Sequence, residues 1–165
     1  MAGKSRGKVK GSMSVRVIRV VVNGLPVAKG SAKAFYNKRL NRAMVLQSNA
    51  EKQKPWVSAI VNAVEAQIGA EWVLETGPVR IANMVFWFPR PKSHYRTGKR
   101  SNELRPDAPQ VHTSKPDIDK LERCVLDALT GIVWKDDAQV WCVEEKLKCY
   151  TREAPGLSLV IECGV

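Results

Sequence analysis

The sequence predicts a mixed α/β or α+β fold, a small single domain with a mixed sheet of about four strands and two main helices. Three observations predict it. The chain has 165 residues, which suits one domain with a core that needs no disulfide or metal staple. Four runs rich in Val, Ile and aromatic residues are bounded by Gly, Pro or Asn. Two further segments repeat their apolar residues at the helical period.

Residues 1–14, MAGKSRGKVKGSMS, are small, polar and basic and read as a disordered arm, with residues 15–165 as the domain. VRVIRVVVNG (Val15–Gly24) alternates and then turns to continuous Val, a strand closed by an Asn-Gly turn. LPVAKGSAKAFYNKRLNR follows as an irregular basic loop, with Phe35 and Tyr36 as anchors that either pack or stack on bases. In PWVSAIVNAVEAQIG, residues Trp56, Val57, Ile60, Val61, Val64 and Ile68 share one helical face. Pro55 suits its first turn and Gly69 its stop, unless the helix starts near Leu46 and kinks at Pro55.

GPVRIANMVFWF (Gly77–Phe88) reads as the next strand. Pro89–Lys115 is proline-rich and cationic, either a loop that clamps phosphate or an unstructured excursion. Residues 117–130 form the second helix. Ile118, Leu121, Val125, Ala128 and Leu129 lie on its apolar face, and Asp119, Lys120, Arg123 and Asp127 lie opposite. Gly131 ends it, KDDA makes a turn, and Gln139–Thr151 and Gly156–Gly164 are the last two strands.

The net charge is +11 and unevenly spread: residues 1–50 hold eleven Lys or Arg and no acid. A one-signed block of this size points to nucleic acid, since neutralising phosphates releases counterions; plain solubility is the bland alternative. No apolar run reaches the length of a membrane span, and no apolar stretch follows the basic N-terminus as in a signal peptide. Cys124, Cys142, Cys149 and Cys163 form no CxxC pair and read as reduced, packed thiols of a cytoplasmic protein, in a bacterium or a phage-infected cell. His94 and His112 read as polar surface residues rather than catalytic bases.

Against this basic background, SKPDIDKLERCVLDALTGIVWKDDAQV (Ser114–Val140) gathers Asp117, Asp119, Glu122, Asp127, Asp136 and Asp137, six of the sixteen acids. Two readings stand. Asp117 caps the helix and Asp136 and Asp137 make a polar turn. Alternatively the two Asp pairs meet and share a divalent cation, with magnesium the natural partner of hard oxygen ligands and phosphate. Such a site can hydrolyse a phosphodiester, with Arg123 or Lys120 stabilising the developing charge.

The stretch KPDIDKLERCVLDALTGIVWKDDAQV (Lys115–Val140) resembles the RusA-type Holliday junction resolvases, endonucleases of phages and bacteria. The pattern it resembles is K-P-D-x-D-N-x-x-K, then L-D-A-L-x-G and D-D-x-Q-V. VNGLPVAKG and FPRPKSH add weaker similarity outside it. The resemblance implies a small α/β homodimer that binds four-way DNA junctions and nicks two opposed strands with magnesium, manganese being able to substitute. By position it implies Asp117, Asp119 and Asp137 as metal ligands, with Asp136 a weaker candidate. Two positions depart from the pattern: Arg123 stands at the catalytic lysine, and Lys120 at the Asn. Arg keeps its charge but cannot exchange a proton, so only an electrostatic role carries over.

The expected activity is therefore a magnesium-dependent, structure-selective endodeoxyribonuclease acting on Holliday junctions or other branched DNA, with Asp117, Asp119, Asp137, Arg123 and Lys120 catalytic. Lys29, Lys33, Lys38, Arg39, Lys92, Arg96 and Lys115 are the candidate phosphate contacts, since shape rather than base identity would mark a branch. The alternatives are a non-catalytic basic DNA-binding module with a degenerate acidic site, and a ribonuclease.

Overall fold

The structure is a computed structural model and describes residues 15–47 and 49–164. The arm expected at residues 1–14 lies outside the described residues. Six strands and two helices follow in the order β1 (Arg16–Asn23), β2 (Ala32–Asn37), β3 (Arg42–Gln47), α1 (Ala50–Ile68), β4 (Val79–Pro89), α2 (Ile118–Leu129), β5 (Val140–Thr151) and β6 (Gly156–Cys163). A four-stranded mixed sheet runs β1-β6-β4-β5, with β4 and β5 parallel and the other pairings antiparallel. This is the α+β architecture the sequence predicts.

The core follows from the periodicities. On β1, Ile18, Val20 and Val22 are buried while the residues between them face out, as a half-covered strand requires. Leu157, Leu159, Ile161 and Cys163 do the same on β6. Trp56, Ile60 and Val64 of α1 and Leu121, Val125 and Leu129 of α2 close over this face. The helices touch each other, and Gln53 Nε2 donates to Cys124 Sγ at 3.4 Å. On the other side of the sheet Arg80, between buried Val79 and Ile81, pairs with Glu144 and, at 2.6 Å, Glu162. One glycine is demanded by space: a Cβ on Gly156 would sit 2.2 Å from the Val22 carbonyl oxygen across the β1–β6 pair.

The structure decides two points in the first half of the chain. The segment read as an irregular loop after Leu25 forms the β2–β3 hairpin, a two-stranded sheet of its own. Alternation there is masked because both faces of the hairpin meet solvent, so no apolar period is needed. Helix α1 begins at Ala50, and Pro55 sits inside it. The helix tolerates the proline there at the loss of one intrahelical donor, and buried Trp56 holds the segment down.

The long Pro89–Lys115 connection is no unstructured excursion. Short 3₁₀ turns at Lys92–His94 and Gly98–Arg100 are tied by backbone bonds between Arg96 and Glu103 and between Arg105 and His94. Its end is stitched to β5 by His112 N to Lys148 O and Tyr150 N to Gln110 O. His94 and His112 are half-buried rather than surface residues. His112 stacks on Phe88 with centroids 4.1 Å apart, and His94 meets Tyr150 edge-on.

Candidate active site

Helix α2 carries the acidic constellation, and its burial explains which side chains are available. Leu121, Cys124, Val125, Ala128 and Leu129 are buried, which turns Asp119, Arg123 and Asp127 to solvent. Asp117 occupies the N-cap position but its carboxylate makes no capping bond. It pairs with Lys120 one turn on, at 2.9 Å. The ammonium donates to the carboxylate, so the Asp117 carboxyl is held below the usual range, first by the Lys120 hydrogen bond and then by its charge, with Lys115 and Lys148 adding to it. Lys120 is pushed up by the same contact.

The backbone leading into α2 is fixed from β5. Lys148 Nζ donates to the carbonyls of Ser114 and Pro116, both at 2.7 Å. Lys29 is fixed from the other side: its backbone N–H donates to the Lys120 carbonyl and its side chain pairs with Asp127. A groove of about 370 Å³ opens between these segments. Lys29, Ser31, Asn49, Lys115, Asp117 and Lys120 are among its lining residues. Arg123 is exposed one turn beyond Lys120.

Asp136 and Asp137 lie at the opposite end of the helix. Lys148 touches the backbone before α2, while Lys146 pairs with Glu122 at 2.5 Å, so β5 runs antiparallel to α2. The turn that starts β5 therefore sits beyond the C-terminus of α2, and twelve helical residues span about 18 Å. Among the described residues, no three His, Cys, Asp or Glu side chains gather closely enough in one chain to hold a metal ion.

The two aspartates of that turn are not equivalent. Asp136 accepts from Ala138 N while Gln139 returns to the Asp136 backbone, a reciprocal cap. Gln139 also donates to the carbonyls of Glu75 and Gly77. Asp137 is exposed and has no ion pair or side-chain hydrogen bond among the described residues.

The candidate phosphate contacts are spread over three places. Lys29 and Lys115 line the groove beside Asp117. Lys38 and Arg39 are exposed at the tip of the β2–β3 hairpin, and the side chain of Lys33 lies outside the described residues. Lys92 and Arg96 line a separate cleft of about 880 Å³ with Tyr95 and Arg105, inside the folded loop. Arg96 leans on Glu103 at 3.7 Å and Arg105 pairs with Asp107. Sequence reasoning missed Lys148 and Asn49. Lys148 donates to backbone carbonyls, a target that no side-chain pattern marks.

The family model of endodeoxyribonuclease RusA matches residues 24–162, almost the whole described chain. The chain belongs to the RusA endodeoxyribonuclease family. It is thus an enzyme of the Holliday junction resolvase type, a hydrolase of phosphodiester bonds. It is also 31% identical over 149 residues to the uncharacterized protein YqaN of Bacillus subtilis (strain 168), covering 87% of this chain and 94% of that one. The match includes both ends of α2, so the exposed carboxylates lie inside the family region, whereas residues 1–14 lie outside it. No helix among the described residues is long and apolar enough to cross a membrane.

Proposed function

We propose that this chain is a magnesium-dependent endonuclease that resolves four-way DNA junctions by paired symmetric nicks, acting as a homodimer on branched DNA. The observation that carries this reading is the open N-terminal end of α2. Asp117 and Asp119 are exposed there, beside Lys120, Arg123 and the Lys115-lined groove. Hard carboxylate oxygens fit magnesium, which commonly takes one or two protein carboxylates and completes its shell with water and phosphate oxygens. Asp117 and Asp119 would hold the ion, and manganese would fit the same donors.

A bound ion supplies Lewis-acid polarisation of the phosphate and a more acidic water. The residues of this chain do the rest. Lys120 balances Asp117 in the free protein, and its ammonium would be available to a phosphate oxygen were that carboxylate committed to a bound ion. Arg123 presents a fixed positive fork to the same phosphate and stabilises the charge that builds on it, without moving a proton. Lys148 keeps the Ser114–Pro116 backbone in place, and so the position of Asp117.

Asp137 lies in a turn beyond the far end of α2 from the Asp117 and Asp119 of its own chain. It belongs in our reading to the site of a second copy, whose α2 runs the opposite way across a two-fold axis. A four-way junction presents two equivalent strands, which a two-fold dimer matches.

The test is cleavage of a synthetic four-way junction with magnesium, with manganese and with EDTA. Cutting that needs the divalent ion and is lost in Asp119→Asn, with junction binding retained, is the expected result. Binding without cutting under every divalent condition would overturn the catalytic assignment. A mixture of Asp119→Asn and Asp137→Asn chains distinguishes the two-copy site: mixed dimers contain one intact site and regain single nicks, whereas a site within one chain regains nothing.

A further inference from the structure

The β2–β3 hairpin stands apart from the packed domain. Among the described residues it pairs with no other strand. An isolated two-stranded hairpin is marginal in water, so its surface is explained by what it meets. That surface is neither polar nor neutral. Phe35, Tyr36 and Leu40 are 40%, 58% and 53% exposed. Residues 32–47 contain Lys33, Lys38, Arg39 and Arg42 and no acid. Two such hairpins would repel each other, which argues against a second copy as the occupant and for a polyanion.

Its position is equally informative. Ser31 precedes β2 and Asn49 follows closely after β3, and both line the groove that holds Asp117 and Lys120. The hairpin therefore springs from the rim of the candidate active site. Six residues of strand reach about 20 Å. The tip is set in advance: Asn37 Oδ1 accepts from the N–H groups of Arg39 and Leu40, at 3.0 and 3.1 Å. Phe35 lies opposite Met44 and Tyr36 opposite Ala43, so consecutive aromatics project from opposite faces of one ribbon.

A ribbon with one exposed aromatic on each face suits a place where two base-pair ends are open. A continuous duplex has none, because its bases stack on one another; the crossover of a branched DNA has several. We propose that the β2–β3 hairpin is the branch-reading element of this enzyme, with Phe35 and Tyr36 stacking on open bases at the crossover while Lys38, Arg39 and Arg42 hold the flanking phosphates. This deepens the functional reading above and rests on it, since it supposes that the groove acts on branched DNA.

The experiment measures binding in EDTA to a four-way junction carrying 2-aminopurine at the crossover, and to a linear duplex of the same sequence. The full chain is compared with Phe35→Ala/Tyr36→Ala and with Phe35→Trp/Tyr36→Trp. The expected result is a change in 2-aminopurine fluorescence with the native chain. The alanine variant loses that change and binds the junction about 10-fold or more weaker. Its duplex affinity is unchanged, and tryptophan restores both junction signals. Undiminished junction affinity and signal in the alanine variant would overturn the hairpin assignment alone. So would a loss that tryptophan does not restore. A native chain with no preference for the junction over the duplex would overturn the branched-DNA reading and the hairpin with it.

Discussion

The two ends of α2 present aspartates in opposite ways. At the N-terminal end Asp117 is balanced by a half-exposed lysine side chain and faces an open groove. At the C-terminal end Asp136 and Gln139 lock a turn through backbone bonds, and Trp134, fully buried, anchors it with Nε1 on Thr130 Oγ1 at 3.2 Å. One end is built from charge and left free to exchange partners. The other is built from packing and presents Asp137, exposed and without an ion pair among the described residues. Adjacent identical residues can thus divide the labour, Asp136 shaping the turn and Asp137 facing outward.

The comparison is tested most sharply at the D-D turn. Asp137→Asn should reduce junction cleavage more than about 100-fold while leaving thermal stability unchanged. Asp136→Ala should do the reverse, lowering stability by about 1 kcal/mol through the lost cap and cutting activity only as far as Asp137 is displaced. Parallel cleavage assays and denaturant melts check both. Equal losses of activity with no change in stability would break the division.

Arg123→Ala should slow cleavage about 10- to 100-fold, and Arg123→Lys should recover most of it if the guanidinium acts only by charge. Single-turnover rates on a preformed complex check this without interference from binding. Trp134→Ala should cost about 3–5 kcal/mol in urea unfolding, since a fully buried aromatic is removed from the anchor of the turn.

The smallest effect belongs to the aromatic stack that feeds the N-terminal end. Burial, aided by the Lys148 charge, lowers the pKa of His112, so the folded state prefers the neutral ring. The unfolded chain then binds a proton at higher pH than the native one does. Stability should fall as pH drops from near 6.5 toward the lower folded value, and level off below it. His112→Phe should remove that acid-side loss, seen as a flatter melting temperature between pH 7 and 5.

Much of the fold was legible because buried faces impose periods. Ile18, Val20 and Val22 on a strand and Leu121, Val125 and Leu129 on a helix had to repeat as they do to reach one core. The hairpin was not legible, since Phe35 and Tyr36 are both exposed and nothing in its pattern needed to alternate. The start of α1 was open between Leu46 and Pro55, because Pro55 looks like a first-turn residue wherever it stands; the structure puts it at Ala50.

By itself the sequence determined the element types, the acidic cluster within a basic chain, and the motif from Lys115 to Val140 that marks the family. These are local facts, set by side-chain period, charge and spacing. Only the tertiary structure decided that the turn holding Asp137 lies beyond the far end of α2 from Asp117, that Lys148 reaches back to the Ser114–Pro116 backbone, and that the hairpin rises from the groove's rim. Those depend on which strand runs antiparallel to α2, a consequence of how the whole core closes.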